Sequence, residues 1–210
     1  MLSLSKTVVV AAFAFLLPLT ANAVTVSFAG PTGSGTPTSR VFSEGGLDVT
    51  VTGIEEGFVA GIGQDTGGIG VNGVTINSDN LVSDLEILIL TFSEAVSLDS
   101  VTFSDAGGDN DFFRIFVDPA NPGAPPAPGT TADAQGATAG LPVGVAADHR
   151  IASLALTGTV FQITNGGVSS SNTFSLLNAN FTAIIPLPAP ILMLLAGLGL
   201  LGGVSRLRKA

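Results

Sequence analysis

The chain has no cysteine, no tryptophan, no tyrosine and a single histidine in 210 residues, and no lysine between residues 24 and 183. Without cysteine there is no disulfide framework, no thiolate nucleophile and no cysteine metal site. A lone histidine, His149, excludes a metal-histidine cluster. A serine–histidine–acid triad would have to use it, yet no G-x-S-x-G elbow occurs anywhere in the chain. His149 therefore reads as a solvated residue at a loop edge. Lack of tryptophan and tyrosine removes the rings that most often stack on sugars and leaves phenylalanine, which offers no hydrogen bond. Residues 24–183 carry three cations, Arg40, Arg114 and Arg150, against all sixteen carboxylates, a formal charge of −13. Nucleic acid is excluded as a partner, because phosphate binding rests on lysine and arginine.

Polar side chains are also absent from a long run near each end. Lys6 is followed by the apolar run Val8–Leu19 and then by Ala21-Asn22-Ala23, the order of a secretory signal peptide with cleavage after Ala23. At the other end, Ile191–Val204 contains no polar side chain. The eighteen residues from Leu187 to Val204 would span about 27 Å as a helix, close to the hydrocarbon thickness. Arg206, Arg208 and Lys209 then supply the positive charge expected on the cytoplasmic side. These features divide the chain into a leader (1–23), a body (24–183) and a C-terminal segment (184–210). The predicted topology puts the body outside the inner membrane, anchored by its tail.

The body reads as one all-β domain. Valine, threonine, isoleucine and phenylalanine alternate with small polar residues, and Gly/Asn/Asp/Ser clusters interrupt them every eight to twelve residues. Strands are expected near 24–28, 39–42, 47–53, 69–76, 85–92, 97–104, 112–118, 151–164 and 173–184, with Leu85–Phe92 through the sheet centre. This spacing predicts a single two-sheet β-sandwich of jelly-roll type. Residues 119–149 open with five prolines in eleven residues and hold few large apolar side chains, so they are expected to form a long loop.

Chemistry within the body is sparse. Asp105, Asp109 and Asp111 flank glycines between two expected strands, and their oxygens have the character of a Ca²⁺ site. The same residues also suit a solvated hairpin turn, and their spacing matches no calcium-loop motif. Asp79, Asn80 and Asp84 are candidate neighbours of that turn. Gly67–Gly73 lacks the lysine and following helix of a phosphate loop. Sixteen carboxylates permit paired-acid hydrolysis, with no pair singled out by spacing. No cofactor other than calcium is indicated.

Ile185-Pro186-Leu187-Pro188-Ala189, the apolar stretch and the basic end together resemble a PEP-CTERM sorting domain of Gram-negative bacteria, in its VPLPA variant. Isoleucine stands in place of the usual valine, Pro190 adds a third proline, and Arg206-Leu207-Arg208-Lys209 replaces an unbroken arginine run. The resemblance implies recognition by an exosortase, a membrane-embedded cysteine transpeptidase or protease, and association with exopolysaccharide or biofilm matrix. The residues agree with such processing. Prolines 186, 188 and 190 keep the motif extended and out of both sheet and helix, and glycines 197, 199, 202 and 203 give the helix a small-residue face. A permanent membrane anchor is the competing reading. The expected protein is thus a non-enzymatic envelope or matrix component, periplasmic while anchored and then on the outer surface or extracellular. Its body would bind exopolysaccharide or act in adhesion; a secreted hydrolase of extracellular polymers is the alternative.

Overall fold

The computed structural model describes residues 23–31, 36–72, 82, 86–105, 112–127, 130–137, 148–165 and 174–184. By its contacts the chain divides into two compact units, one of which is Asn22–Ala183. That unit is entirely β among the described residues: β1 (Ala23–Ser27), β2 (Ser39–Glu44), β3 (Leu47–Glu55), β4 (Phe58–Asp65), β5 (Gly68–Asn72), β6 (Glu86–Asp105), β7 (Phe112–Val117), β8 (Ala134–Ala137), β9 (Asp148–Asn165) and β10 (Phe174–Ala183). The expected all-β class holds. The two separate sheets of a sandwich do not, because every strand joins one hydrogen-bonded sheet.

That sheet closes on itself. Strands β10, β5, β4, β3 and β6 follow one another around a ring, and β6 pairs back onto β10. The closure follows from the length of β6, a single strand of 20 residues. Its first half, Glu86–Phe92, pairs with β3, and its second half, Val96–Asp105, pairs with β10. The partner along both halves is β9, so β3 and β10 share the opposite edge of β6. Strands β1, β2, β7 and β8 extend the barrel outside the ring.

Two strands lie where the sequence predicts none, and two expected strands are one. Strand β4 carries Gly61 and Gly63, which weaken its β signal; Gly61 is needed there because a Cβ would lie 3.0 Å from Thr36 Cβ. Strand β8 is a four-residue edge strand of small side chains within the expected loop. Leu85–Phe92 and Ser97–Ser104 are continuous because the polar Ser93-Glu94 between them stays in the strand, where the register with β9 shifts.

Alternation fills the barrel. Val49 and Val51, Leu88 and Leu90, Phe161 and Ile163, and Phe113 and Ile115 all point inward and are buried in one core. Its larger pieces are phenylalanines at edge or tilted contacts, including Phe103–Phe174 at 4.8 Å and Phe92–Phe181 at 4.7 Å. Phenylalanine suits a core that must satisfy no hydroxyl or indole donor, and such ring pairs add about 0.5–1.5 kcal/mol beyond their area.

A smaller cluster, Ile54, Ile87 and Ile89 with Val160, lies on the outer face. The proline-rich start of the 119–149 segment covers it. Gly123 approaches so closely that a Cβ would lie 3.2 Å from Ile54 and 3.3 Å from Ile89. Gln162, only 1% exposed, accepts from Gly123 N at 3.1 Å and donates to the Ala124 carbonyl at 3.2 Å. Asp118 sets the start of this strap: its Oδ1 accepts from Thr159 N, Thr159 Oγ1 and Val160 N at 2.8–3.0 Å. Burial pushes its carboxyl up, but these three bonds outweigh it and hold the carboxyl below its ordinary 3.8.

Two outcomes follow from this packing. A Cβ on Gly68 (φ +126°) would lie 2.3 Å from the Leu176 carbonyl oxygen, at the single register pair joining β5 to β10. Gly68→Ala is expected to cost about 3 kcal/mol or more in urea unfolding. Gly57→Ala, with a similarly left-handed φ of +86° but nothing within 4 Å, should cost only about 1–2 kcal/mol. A lowered folded-state carboxyl contributes stability above its unfolded value, and that contribution is lost as pH falls through 3.8 and below. The urea midpoint of the unsubstituted chain should therefore fall more steeply between pH 5 and pH 2.5, values chosen to bracket that loss, than the midpoint of Asp118→Asn.

Candidate functional site

A polar concavity of the barrel wall lies beside a bulge in β6. Leu98 and Val101 are both buried in the core, yet two residues separate them where strict alternation allows one. Register with β10 slips at this point, with Ser100 opposite Asn180 and Leu98 opposite Phe181. The extra residue turns Asp99 and Ser100 outward together, the usual consequence of a β-bulge. On the other side β9 accommodates the slip with three residues, 153–155, between the partners of Ser100 and Leu98. Two of them are left-handed without being glycine, Ser153 at φ 62° and Ala155 at φ 50°. Each such residue costs about 1–3 kcal/mol and persists only where its surroundings impose it.

Around this double bulge lies a cleft of about 520 Å³ lined by Ala23, Asp99, Ser100, Arg150, Ala152, Ser153, Ala155 and Asn180. Its volume falls within the range of small-ligand sites. The polar groups are held by one another across four strands. Ser97 Oγ donates to Asp99 Oδ1 at 2.8 Å and Thr182 Oγ1 donates to Asp99 Oδ2 at 2.6 Å. Asn180 Nδ2 donates to Ser100 Oγ at 2.6 Å, and Asn180 Oδ1 accepts from Thr25 Oγ1. Arg150 Nη2 reaches Ser100 Oγ at 3.4 Å. Carboxylate, amide, hydroxyl and guanidinium are thereby fixed at one place, with the methyl groups of three alanines between them.

A second hollow of about 130 Å³ lies under the proline-rich strap and is lined by Glu86, Ile87, Arg114, Pro125, Pro126, Thr164 and Asn165. Glu86 stands directly opposite Glu55 in the β3–β6 register. The barrel therefore does bring a carboxylate pair together, although nothing in the spacing singled it out. Glu55 and Glu86 are 5% and 1% exposed, and the hollow is smaller than typical ligand sites.

The residues expected to carry function fall differently. Ala23 is the first residue of β1, opposite Thr182, and Ala21 lies outside the described residues, as do Ile185, Pro186, Leu187, Pro188, Ala189, Arg206, Arg208 and Lys209. Asp105 ends β6, while Asp109 and Asp111, like Asp79, Asn80 and Asp84, are outside the described residues. Among the described residues no three acidic or histidine side chains group as a metal site, and no helix is long and apolar enough to cross a membrane. His149 is the second residue of β9, opposite Phe103. Thr66 and Gly67 form the β4–β5 turn, where Gly67 N donates to Asp65 Oδ1 at 2.7 Å, and Gly68 opens β5 opposite Asp65; this is a hairpin and not a phosphate loop.

No family model matches the chain, and no curated protein or solved structure matches it.

The cleft residues went unrecognised in the sequence because Asp99, Ser100, Arg150 and Asn180 are as much as 81 positions apart. One local signal exists: Leu98-Asp-Ser-Val101 breaks the alternation of β6 with two adjacent polar residues. Replacing Asn180 by alanine leaves the buried Ser100 without its short donor and Thr25 without its acceptor. Urea unfolding should register a loss of about 1–3 kcal/mol.

Proposed function

We propose that this chain is a non-enzymatic envelope or matrix protein whose β-barrel body binds exopolysaccharide. In this reading residues 1–23 direct export, residues 184–210 hold the chain in the inner membrane, and an exosortase-like enzyme then processes it at Ile185–Ala189. The observation that carries the binding role is the cleft beside the double bulge. It is open, of ligand size, furnished with mutually fixed donors and acceptors, and bounded by residues held in strained conformations. The pairing of Ala23 with Thr182 supports the tethered arrangement, since the chain enters β1 and leaves β10 at neighbouring positions.

The facing Glu55 and Glu86 favour a second reading, hydrolysis of an extracellular polymer by paired carboxylates. Their burial and the small hollow beside them weigh against it.

Two measurements separate these readings. The intact mass of the protein recovered from its own host should place the C-terminus near Ala189; retention of Lys209 and Ala210 would mean a permanent anchor. Co-sedimentation with host exopolysaccharide should show binding without a rise in reducing ends. Release of reducing ends that disappears in Glu86→Gln would favour the hydrolase instead.

A further inference from the structure

We infer that the cleft takes an uncharged sugar, gripping a vicinal pair of hydroxyls between Asp99 and Arg150. This inference rests on the exopolysaccharide reading and adds the ligand class. A carboxylate offers about four acceptor positions, and Ser97 and Thr182 use one on each Asp99 oxygen. One further hydroxyl donor can be accepted on each oxygen, and two neighbouring hydroxyls of a pyranose present such a pair. Ser97 and Thr182 also fix the plane of the carboxylate, so no rotamer freedom is lost when a ligand arrives. Arg150 has five N–H donors; among the described residues its guanidinium hydrogen-bonds Ser100 Oγ alone, at 3.4 Å. The remaining donors suit the oxygens of the same two hydroxyls.

Charge selects a neutral sugar over an acidic one. Asp99 and Arg150 cancel within the cleft, while residues 24–183 carry −13. A uronate chain would meet a repulsive field from the body and would set its carboxylate beside Asp99. The cleft also replaces the missing aromatic platform. Ala152 and Ala155 present methyl groups against which the C–H face of a sugar can lie, and the left-handed Ala155 and Ser153 shape this floor. The double bulge that lets Leu98 and Val101 share the core then has a second use: it sets Asp99 and Ser100 on one face side by side.

The test uses the full chain in detergent micelles, titrated calorimetrically with neutral hexose oligosaccharides and, separately, with oligogalacturonate. Neutral oligosaccharide is expected to bind. Its affinity should fall about tenfold or more in Asp99→Asn and in Arg150→Lys, as expected for hydrogen bonds to charged groups, and stay unchanged in Glu94→Gln. Arg150 is exposed and its lysine variant keeps the charge, so its thermal midpoint should match that of the unsubstituted chain; the loss is then one of binding. Oligogalacturonate binding in place of the neutral sugar would overturn the ligand class while leaving the exopolysaccharide reading intact. Neutral binding unaffected by both substitutions would overturn this site. Binding of neither sugar, together with no retention of the host exopolysaccharide, would sink the underlying reading itself.

Discussion

The fold depends on one long strand keeping two registers. Strand β6 must place Leu88, Leu90, Leu98, Val101 and Phe103 in the same core while pairing first with β3 and then with β10. A flat, regular strand of this length cannot do so, because sheets twist and a strand changing neighbours must bend. The bend is taken up at two irregularities, one between Thr91 and Val96 and one between Leu98 and Ser100. The first is filled with the polar Ser93 and Glu94 and carries no site. The second turns Asp99 and Ser100 outward and drives Ser153 and Ala155 into the left-handed region. The irregularity that lets β6 serve both registers and the residues that line the polar cleft are therefore the same.

Other parts of the molecule support this arrangement. Gly68 lets β5 touch β10 where a larger residue would strike the Leu176 carbonyl. Gln162, Gly123 and Asp118 fasten the proline-rich strap over the outer isoleucine cluster, so a segment unable to build its own core becomes cover for one. Leaving the strap unattached would expose Ile54, Ile87 and Ile89, three large apolar side chains on a barrel wall. Asp118 and Thr159 hold its origin, and the hollow beneath it stays small. The strap end of the barrel is thereby closed, whereas the end where β1 begins and β10 stops retains an open polar cleft.

Much of the architecture was legible in the sequence because alternation survives wherever a strand has one buried face. Leu47–Gly53, Phe112–Asp118 and Thr173–Ile184 were recognisable on that ground and correspond to β3, β7 and β10. Strand β4 was not, since Gly61 and Gly63 interrupt its alternation, and Gly61 stands where Thr36 presses on the backbone. Barrel closure was not legible either. It depends on which edge of β6 receives β3 and β10, and pairing partners leave no trace in the alternation of one strand. The expected all-β class holds, but the strand set lacked β4 and β8 and divided β6, and one sheet closes into a barrel in place of two sheets. The cleft escaped for the same reason: it joins β1, β6, β9 and β10, and only their pairing brings Asp99, Arg150 and Asn180 together. By contrast, the carboxylate cluster that attracted notice in the sequence, Asp105–Asp111, stands out by local density alone.

Amide hydrogen exchange on the full chain, with and without neutral hexose oligosaccharide, tests most directly whether the bulge of β6 is the working surface. Exchange reports local opening residue by residue. Slowing confined to residues 98–101, 152–156 and 179–181 is the predicted result. Slowing at Glu55 and Glu86 instead, with the bulge unchanged, would contradict it.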